Sequence, residues 1–333
     1  MTGRTSADPA TLRVRWGIDG LALGISLAGP SGRDDWARVT TWAEHAETLG
    51  LHSVWLPEMH FAPGVTASPL VALAALAART RRLRLATTSL LLPIHDPIRI
   101  AEEIARLDRL SGGRVIAGLG RGFRAPLFAA FGIDPSTKRD LFDQSLERML
   151  AHWAGTSVPG ERLNTRPLQQ PHPPLAVAAF GRKGLAQAAR LGLPYLASPV
   201  EPINLIRDNL AYYREAVAAG SDPDDRIVPI MRTVFVSEQP VLVAQVLERL
   251  SSELRPAQAG ARLPDALSKA IGSPIEDRVI VGNAEQVGAR LAAYRDELGM
   301  NLLIVRPQLA GVPREALEES LTRLALEVLP AIG

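Results

Sequence analysis

The chain of 333 residues contains no cysteine. Disulfides, thiolate metal sites and a cysteine nucleophile are therefore excluded. Histidine is scarce, with six in all. His45 within the first helix, His95 in a loop and His152 near a helix end show no ligand spacing, so no metal site is expected. Aromatic residues make up 5% of the chain, too few for the stacking platforms of nucleic-acid binders. The formal charge is only +2, and the arginines are spread along helices, so no nucleic-acid partner is expected. There is no G-x-S-x-G elbow and no P-loop, which weakens hydrolase and nucleotide-triphosphatase readings. No run approaches the roughly 18 uninterrupted apolar residues of a membrane span. The opening residues, MTGRTSADPATLRVR, hold no apolar core of signal-peptide length. A soluble, cytoplasmic protein is the expectation.

What is present is a globular composition, 47% apolar and 22% charged, patterned as strand and helix in alternation. Strand signals fall at 21–27, 52–56, 83–92, 115–119, 175–179, 195–198, 227–236 and 301–305. Helical spacing fills the intervals, beginning with the apolar face Val39, Trp42 or Ala43, Ala46 and Leu49. Residues 1–18 read as an N-terminal extension, and 255–274, with little period, as an insertion or lid. No shift of composition marks a boundary, so one domain over 1–333 is expected. Eight strand-helix units in this length point to an α/β fold of the (β/α)8 TIM-barrel class, with a doubly wound open sheet as the alternative. In either case function gathers at the carboxyl ends of the strands.

The stretch from Leu83 to Phe123 is the most informative. It reads strand, helix, strand, with Pro97 in the first helical turn and Gly112-Gly113 ending the helix. Ala101, Ile104, Ala105 and Leu107 or Asp108 keep helical spacing, and Glu102 and Arg106 stand one turn apart on the outer side. The second strand runs into Gly120-Arg121-Gly122, a cation in a glycine-flanked turn where α/β proteins bind anions. The segment GLGRG lacks the third glycine of the dinucleotide fingerprint, so an anion turn at Arg121 is the better reading. Thr87, Thr88 and Ser89 place hydroxyls inside the preceding strand. Buried hydroxyls need partners, which are either backbone neighbours or a polar ligand.

Two further clusters stand at strand ends. Glu58 and His60 are two residues apart after the second strand, and alternation puts both side chains on one side of an extended segment. A carboxylate beside an imidazole orients the ring and supports its charged form, which suits proton transfer. An incidental surface pair is the competing reading. Gly181, Arg182 and Lys183 stand between the fifth strand and a helix, where open N–H groups and two cations suit a phosphate. Two anion turns in one chain favour a phosphorylated ligand.

These residues resemble the bacterial luciferase-like family of flavin-dependent oxidoreductases. The similarity is carried by WLPEMHF (Trp55 to Phe61), RRLRLATTSLLLP with the following DP (Arg81 to Pro97), AEEIARLDRLSGGR (Ala101 to Arg114) and GLGRGF (Gly118 to Phe123). AQAARLGLP and VGNAEQV are weaker echoes. The resemblance implies a single barrel with reduced FMN, or in one branch a deazaflavin, across the strand ends. It implies a bulge after the third strand with a non-proline cis peptide, which falls at Thr88-Ser89 here. It assigns the flavin phosphate to Arg121 and to the loop Phe180 to Gly184. Two departures stand out. Met59 occupies the place of the first of two adjacent histidines of luciferases, so aldehyde luminescence is not implied. Phe180 replaces the acid that opens the phosphate loop.

The resulting expectation is a monooxygenase that uses reduced FMN and O2, through a flavin peroxide, on a small organic substrate. A transient flavin reductase supplies the FMN, and the enzyme is a homodimer. Glu58 and His60 are the catalytic pair, and Thr88, Ser89, Arg121, Gly181, Arg182 and Lys183 bind cofactor. A deazaflavin-dependent dehydrogenase or reductase on the same fold, and a non-catalytic flavin-binding protein, are the alternatives.

Overall fold

In chain order the strands are β1 (Ala22–Ser26), β2 (Ser53–Leu56), β3 (Arg84–Leu91), β4 (Val115–Gly120) and β5 (Leu175–Ala178). They continue with β6 (Tyr195–Leu196), β7 (Pro229–Val236), β8 (Val279–Gly282) and β9 (Leu302–Val305). They come from a computed structural model that describes residues 14–27, 33–61, 66–156, 163–217, 227–253 and 265–333. All eight expected strands form, each within two or three residues of its expected bounds. The ninth, β8, has the apolar sequence VIVG and is not among the expected strands. The ladders β1–β9, β2–β3, β3–β4, β4–β5, β7–β8 and β7–β9 are all parallel, and the alternation with helices is that of the expected (β/α)8 class, with one strand added.

The chain divides into two compact units, residues 26–178 and residues 1–25 with 179–333. In the first, β3 lies between β2 and β4, and β5 pairs with the other edge of β4. Its helices are α1 (Arg33–Thr48), α2 (Pro69–Arg79), α3 (Pro97–Ser111), α4 (Ala125–Ala130) and α5 (Lys138–Ala154). The short α4 follows the Arg121 turn directly and has no counterpart in the sequence reading. In the second unit β9 lies between β1 and β7, and the later half of β7 carries β8. Ala197, just past β6, bridges Ile230 of β7. After β5 this unit carries the helices α6 (Gly181–Leu191) and α7 (Ile203–Ala216). Of the expected lid over 255–274, residues 255–264 lie outside the described residues, and Asp265–Ile271 is a helix.

Helix α3 shows why the densest motif of the sequence folds as it does. The Asp96 carboxylate caps the N–H groups of Ile98 and Arg99, at 3.0 Å each, and Pro97 needs no partner there. Gly112, at φ +73°, ends the helix in the left-handed conformation that glycine adopts without penalty. Ile100, Ala101, Ile104, Ala105 and Leu107 are buried on its inner face. Asp108 is buried beside them. Arg114 then closes the unit below, donating to the carbonyls of Ala77, Thr80, Leu83 and Ser111 and to the Thr80 hydroxyl. A guanidinium, with five donors in a planar fork, can serve a helix C-terminus in this way. The expected Glu102–Arg106 pair gives way to other partners. Arg106 reaches Thr165 at 2.9 Å, and Arg99 pairs with Glu103.

Candidate active site

The exits of β2 and β3 are neighbours because the strands are parallel and in register, Leu56 opposite Thr87. Parallel pairing therefore brings the residues after the two strands to one end of the sheet. Glu58, after β2, sends its carboxylate toward the end of β3, where its Oε2 accepts the Leu91 N–H at 2.7 Å. Its own N–H donates to the Ser89 carbonyl at 3.3 Å. The carboxylate is fully enclosed, with a side-chain exposure of 0%. Oε1 lies 3.0 Å from His60 Nε2, so the expected pair is formed.

The same Oε1 lies 2.7 Å from His95 Nε2. Sequence reasoning set His95 aside as a loop histidine, and the structure makes it a third member of the cluster. No local signal marks it: residues that follow adjacent parallel strands meet, and thirty-seven positions separate Glu58 and His95. Both Nε2 atoms point at one oxygen rather than at a common vacant point. Among the described residues no group of acids and histidines is arranged to hold a metal ion.

Aromatic rings border His60. Its ring centroid is 5.2 Å from Phe131, edge to face, and 5.7 Å from Phe61. Phe61 has φ of 60°, a conformation uncommon outside glycine. Phe61 and Phe131 are exposed, as are Met59 and Phe123 of the neighbouring loops.

Beside Glu58, β3 is irregular. Its register against β4 shifts between Thr88 and Leu90, and the Thr88-Ser89 peptide is cis, where the resemblance had put it. Thr87 satisfies its hydroxyl on the Gly118 carbonyl at 2.8 Å, the backbone outcome of the two left open by the sequence. Thr88 and Ser89 are half-buried. Gly118 and Gly120 make room for the bulge: a Cβ on Gly118 would fall on the Thr87 carbonyl oxygen, and one on Gly120 on Ser89 Oγ. The glycines of GLGRG thus back the bulge, and only Gly122, at φ +72°, serves the turn.

Arg121 is buried, with its guanidinium 5.9 Å from the Phe142 ring centroid and Nη2 donating to the Ala178 carbonyl at 3.3 Å. Burial lowers its pKa to about 10. Arg139 nearby adds to the lowering, and Asp143 opposes it. Lys138 is lowered too, by burial and then by Arg139 and Arg121. Three cations thus gather where α5 begins, at the positive end of a helix dipole. Asp143 offsets part of that charge, and an anion would offset more, so this cluster of cations suits a phosphate. Lys138 and Arg139 were missed in the sequence because nothing local links them to Arg121.

In the second unit, α6 starts at Gly181, φ +69°, after Phe180, whose side chain caps nothing. Its first N–H groups are therefore left without a side-chain acceptor, and Arg182 and Lys183 are exposed beside them. The Arg182 guanidinium stands 4.9 Å over the Tyr212 ring. This helix start also fits an anion.

Comparison with known proteins gives the family and the fold. Residues 21–301 match the family described as luciferase-like monooxygenase. Monooxygenase RslO1 from Streptomyces bottropensis superposes with a TM-score of 0.81 at 27% identity, over 94% of this chain and 100% of that one. The oxygenating constituent of 3,6-diketocamphane monooxygenase from Pseudomonas putida, solved with FMN, gives 0.77 at 19% identity over 94% and 99%. The coenzyme F420 dependent tetrahydromethanopterin reductase from Methanopyrus kandleri gives 0.72 at 18% identity over 94% and 100%. Among the described residues no helix is long and apolar enough to cross a membrane.

Proposed function

The chain belongs to the luciferase-like monooxygenase family, and we propose from that premise that it is an FMN-dependent monooxygenase of small organic molecules. The observation that carries the reading is the buried Glu58 carboxylate, which joins His60 to the bulged end of β3 at Ser89 and Leu91. Reduced flavin, when bound, supplies the electrons that activate O2, and one oxygen atom goes to substrate. Thr88 and Ser89, at the bulge of β3, would hold the flavin ring. Arg121 would hold its phosphate; the Gly181-Arg182-Lys183 helix start, in the other unit, would suit an anion in its own right. Glu58 fixes the His60 ring by taking its Nε2 proton as a hydrogen bond, which leaves Nδ1 to exchange a proton with the reacting groups. Phe61 and Phe131 border that ring and would favour a substrate with an apolar face. A separate reductase delivers the flavin, and the enzyme works in the cytoplasm as a homodimer.

The deciding experiment supplies reduced FMN and isotope-labelled dioxygen to the full chain with a metabolite extract. The expected result is a product heavier by one labelled oxygen atom. Titration with FMN and with the deazaflavin F420 runs in parallel. Tighter binding of the deazaflavin, with no label in any product, would replace the oxygenase reading with a hydride-transfer reading.

A further inference from the structure

Glu58 makes one contact that the function above does not use. Oε1 accepts from both imidazoles, 3.0 Å from His60 Nε2 and 2.7 Å from His95 Nε2. Its other oxygen is committed to the Leu91 N–H, and its backbone N–H to the Ser89 carbonyl. The carboxylate is therefore anchored at both ends and cannot swing to serve one ring alone. We propose that His95 is a positioning residue that acts on His60 through Glu58, the two rings competing for one carboxylate oxygen.

An ionised carboxylate accepts hydrogen bonds and has none to give. Each ring must then present a proton at Nε2, and a proton gained or lost by either ring is gained or lost at Nδ1. One carboxylate charge compensates one imidazolium. When His60 takes up a proton it draws harder on Oε1, and protonation of His95 becomes less favourable; the converse holds equally. The two rings are unequally placed. His60 has 13% side-chain exposure and lies against Phe61 and Phe131, whereas His95 has 27%. His95 is thus the ring that equilibrates with solvent, and His60 the one that meets the reacting groups. Asp96, next to His95, spends Oδ1 on the N–H groups at the start of α3. Among the described residues, the charged and titratable groups brought onto the two rings are Glu58 and the rings themselves.

Only the link to turnover rests on the monooxygenase reading; the coupling of the rings stands without it. The test has one arm for each. In the first, the full chain with nitrogen-labelled histidine is titrated by ring NMR. His60 should carry its proton on Nε2, and its titration curve should be broader than that of a single site. In His95→Gln, which keeps an N–H donor toward Glu58 but cannot take up a proton, the His60 curve should sharpen to a single site. Superimposable His60 curves in the two proteins would overturn the coupling, and thermal unfolding of the variant confirms that it is folded. In the second arm, His95→Gln should lower kcat for oxygenation about tenfold, with one limb of the pH profile lost and KM little changed. An unaltered kcat and pH profile beside a sharpened NMR curve would remove His95 from turnover while leaving the coupling. Failure of the wild-type chain to oxygenate anything would count against the function alone, with the NMR arm still deciding the coupling.

Discussion

Asp108 and Gln169 are joined twice across sixty-one positions of chain: Gln169 N–H donates to Oδ2 at 2.9 Å and its side-chain amide to Oδ1 at 2.7 Å. Leu168 N–H adds a third donor at 2.7 Å. The acid lies on the inner face of α3, and it fixes the loop that leads into β5. An amide in its place would turn one donor group toward other donors. Asp108→Asn should therefore cost about 2–3 kcal/mol, the range for charge-assisted hydrogen bonds lost in a buried setting. Urea unfolding of the full chain measures it, and a loss below about 0.5 kcal/mol would show that the carboxylate is dispensable.

Gly118 and Gly120 test how the bulge of β3 is accommodated. The obstacle to a Cβ at Gly118 is a backbone oxygen, that of Thr87, whereas at Gly120 it is the Ser89 side chain. A side chain can turn aside and a strand cannot. Gly118→Ala should destabilise by about 1–3 kcal/mol, the cost of overpacking, and Gly120→Ala by less. Adding Ser89→Ala should recover part of the Gly120→Ala loss and none of the Gly118→Ala loss. Equal losses for the two single variants would mean that the bulge yields as a unit.

The strand-helix alternation was legible because each apolar run is bounded by turn residues and each helix keeps a 3.6-residue stripe. The motif LDRLSGGR was legible as a resemblance, but its residues build scaffold: Asp108 holds the loop at Leu168 and Gln169, and Arg114 holds the end of α2. Glu58 and His60 were legible as a pair because they are two positions apart. His95, Lys138 and Arg139 were not, since their neighbours come from strand order and from how α5 packs. The Glu102–Arg106 pair failed for a related reason. Local spacing allows it, but Arg106 has a partner at Thr165, far along the chain.

Glu201 gives the second unit a pH-dependent stability. Its carboxylate is buried, with Oε1 accepting from the Tyr195 hydroxyl and the Asn209 amide and Oε2 from the Ser198 N–H. Burial raises its pKa from 4.5 to about 6, although the Tyr195 hydroxyl, the Ser198 N–H, Arg232 and Asn209 pull the other way. The folded chain then holds this proton more tightly than the unfolded chain. Its contribution is fully present below about pH 4.5 and is lost as pH rises through about 6. At 1.36 kcal/mol per pH unit the loss is about 2 kcal/mol. Glu201→Gln cannot titrate, so relative to wild type it should gain about that much stability between pH 4.5 and 6.5. A difference that stays constant over this range would assign the proton elsewhere.

Arg121 offers the sharpest separation of a phosphate role from a packing role. FMN and riboflavin differ only in the phosphate, so a group that binds phosphate must discriminate between them. Arg121→Ala should weaken FMN about tenfold to hundredfold, the worth of a charge-assisted hydrogen bond, and riboflavin by no more than about threefold. Equal weakening of the two ligands would reduce Arg121 to packing against Phe142. The pKa adds a second expectation. Burial brings the guanidinium down to about 10, with Arg139 contributing in the same direction. A group lowered in this way loses its charge only as pH rises through that value. The preference for FMN over riboflavin should hold from pH 7 to 9 and fall above about 10 in wild type. In Arg121→Ala that fall should shrink to what Lys138, also lowered by burial, contributes.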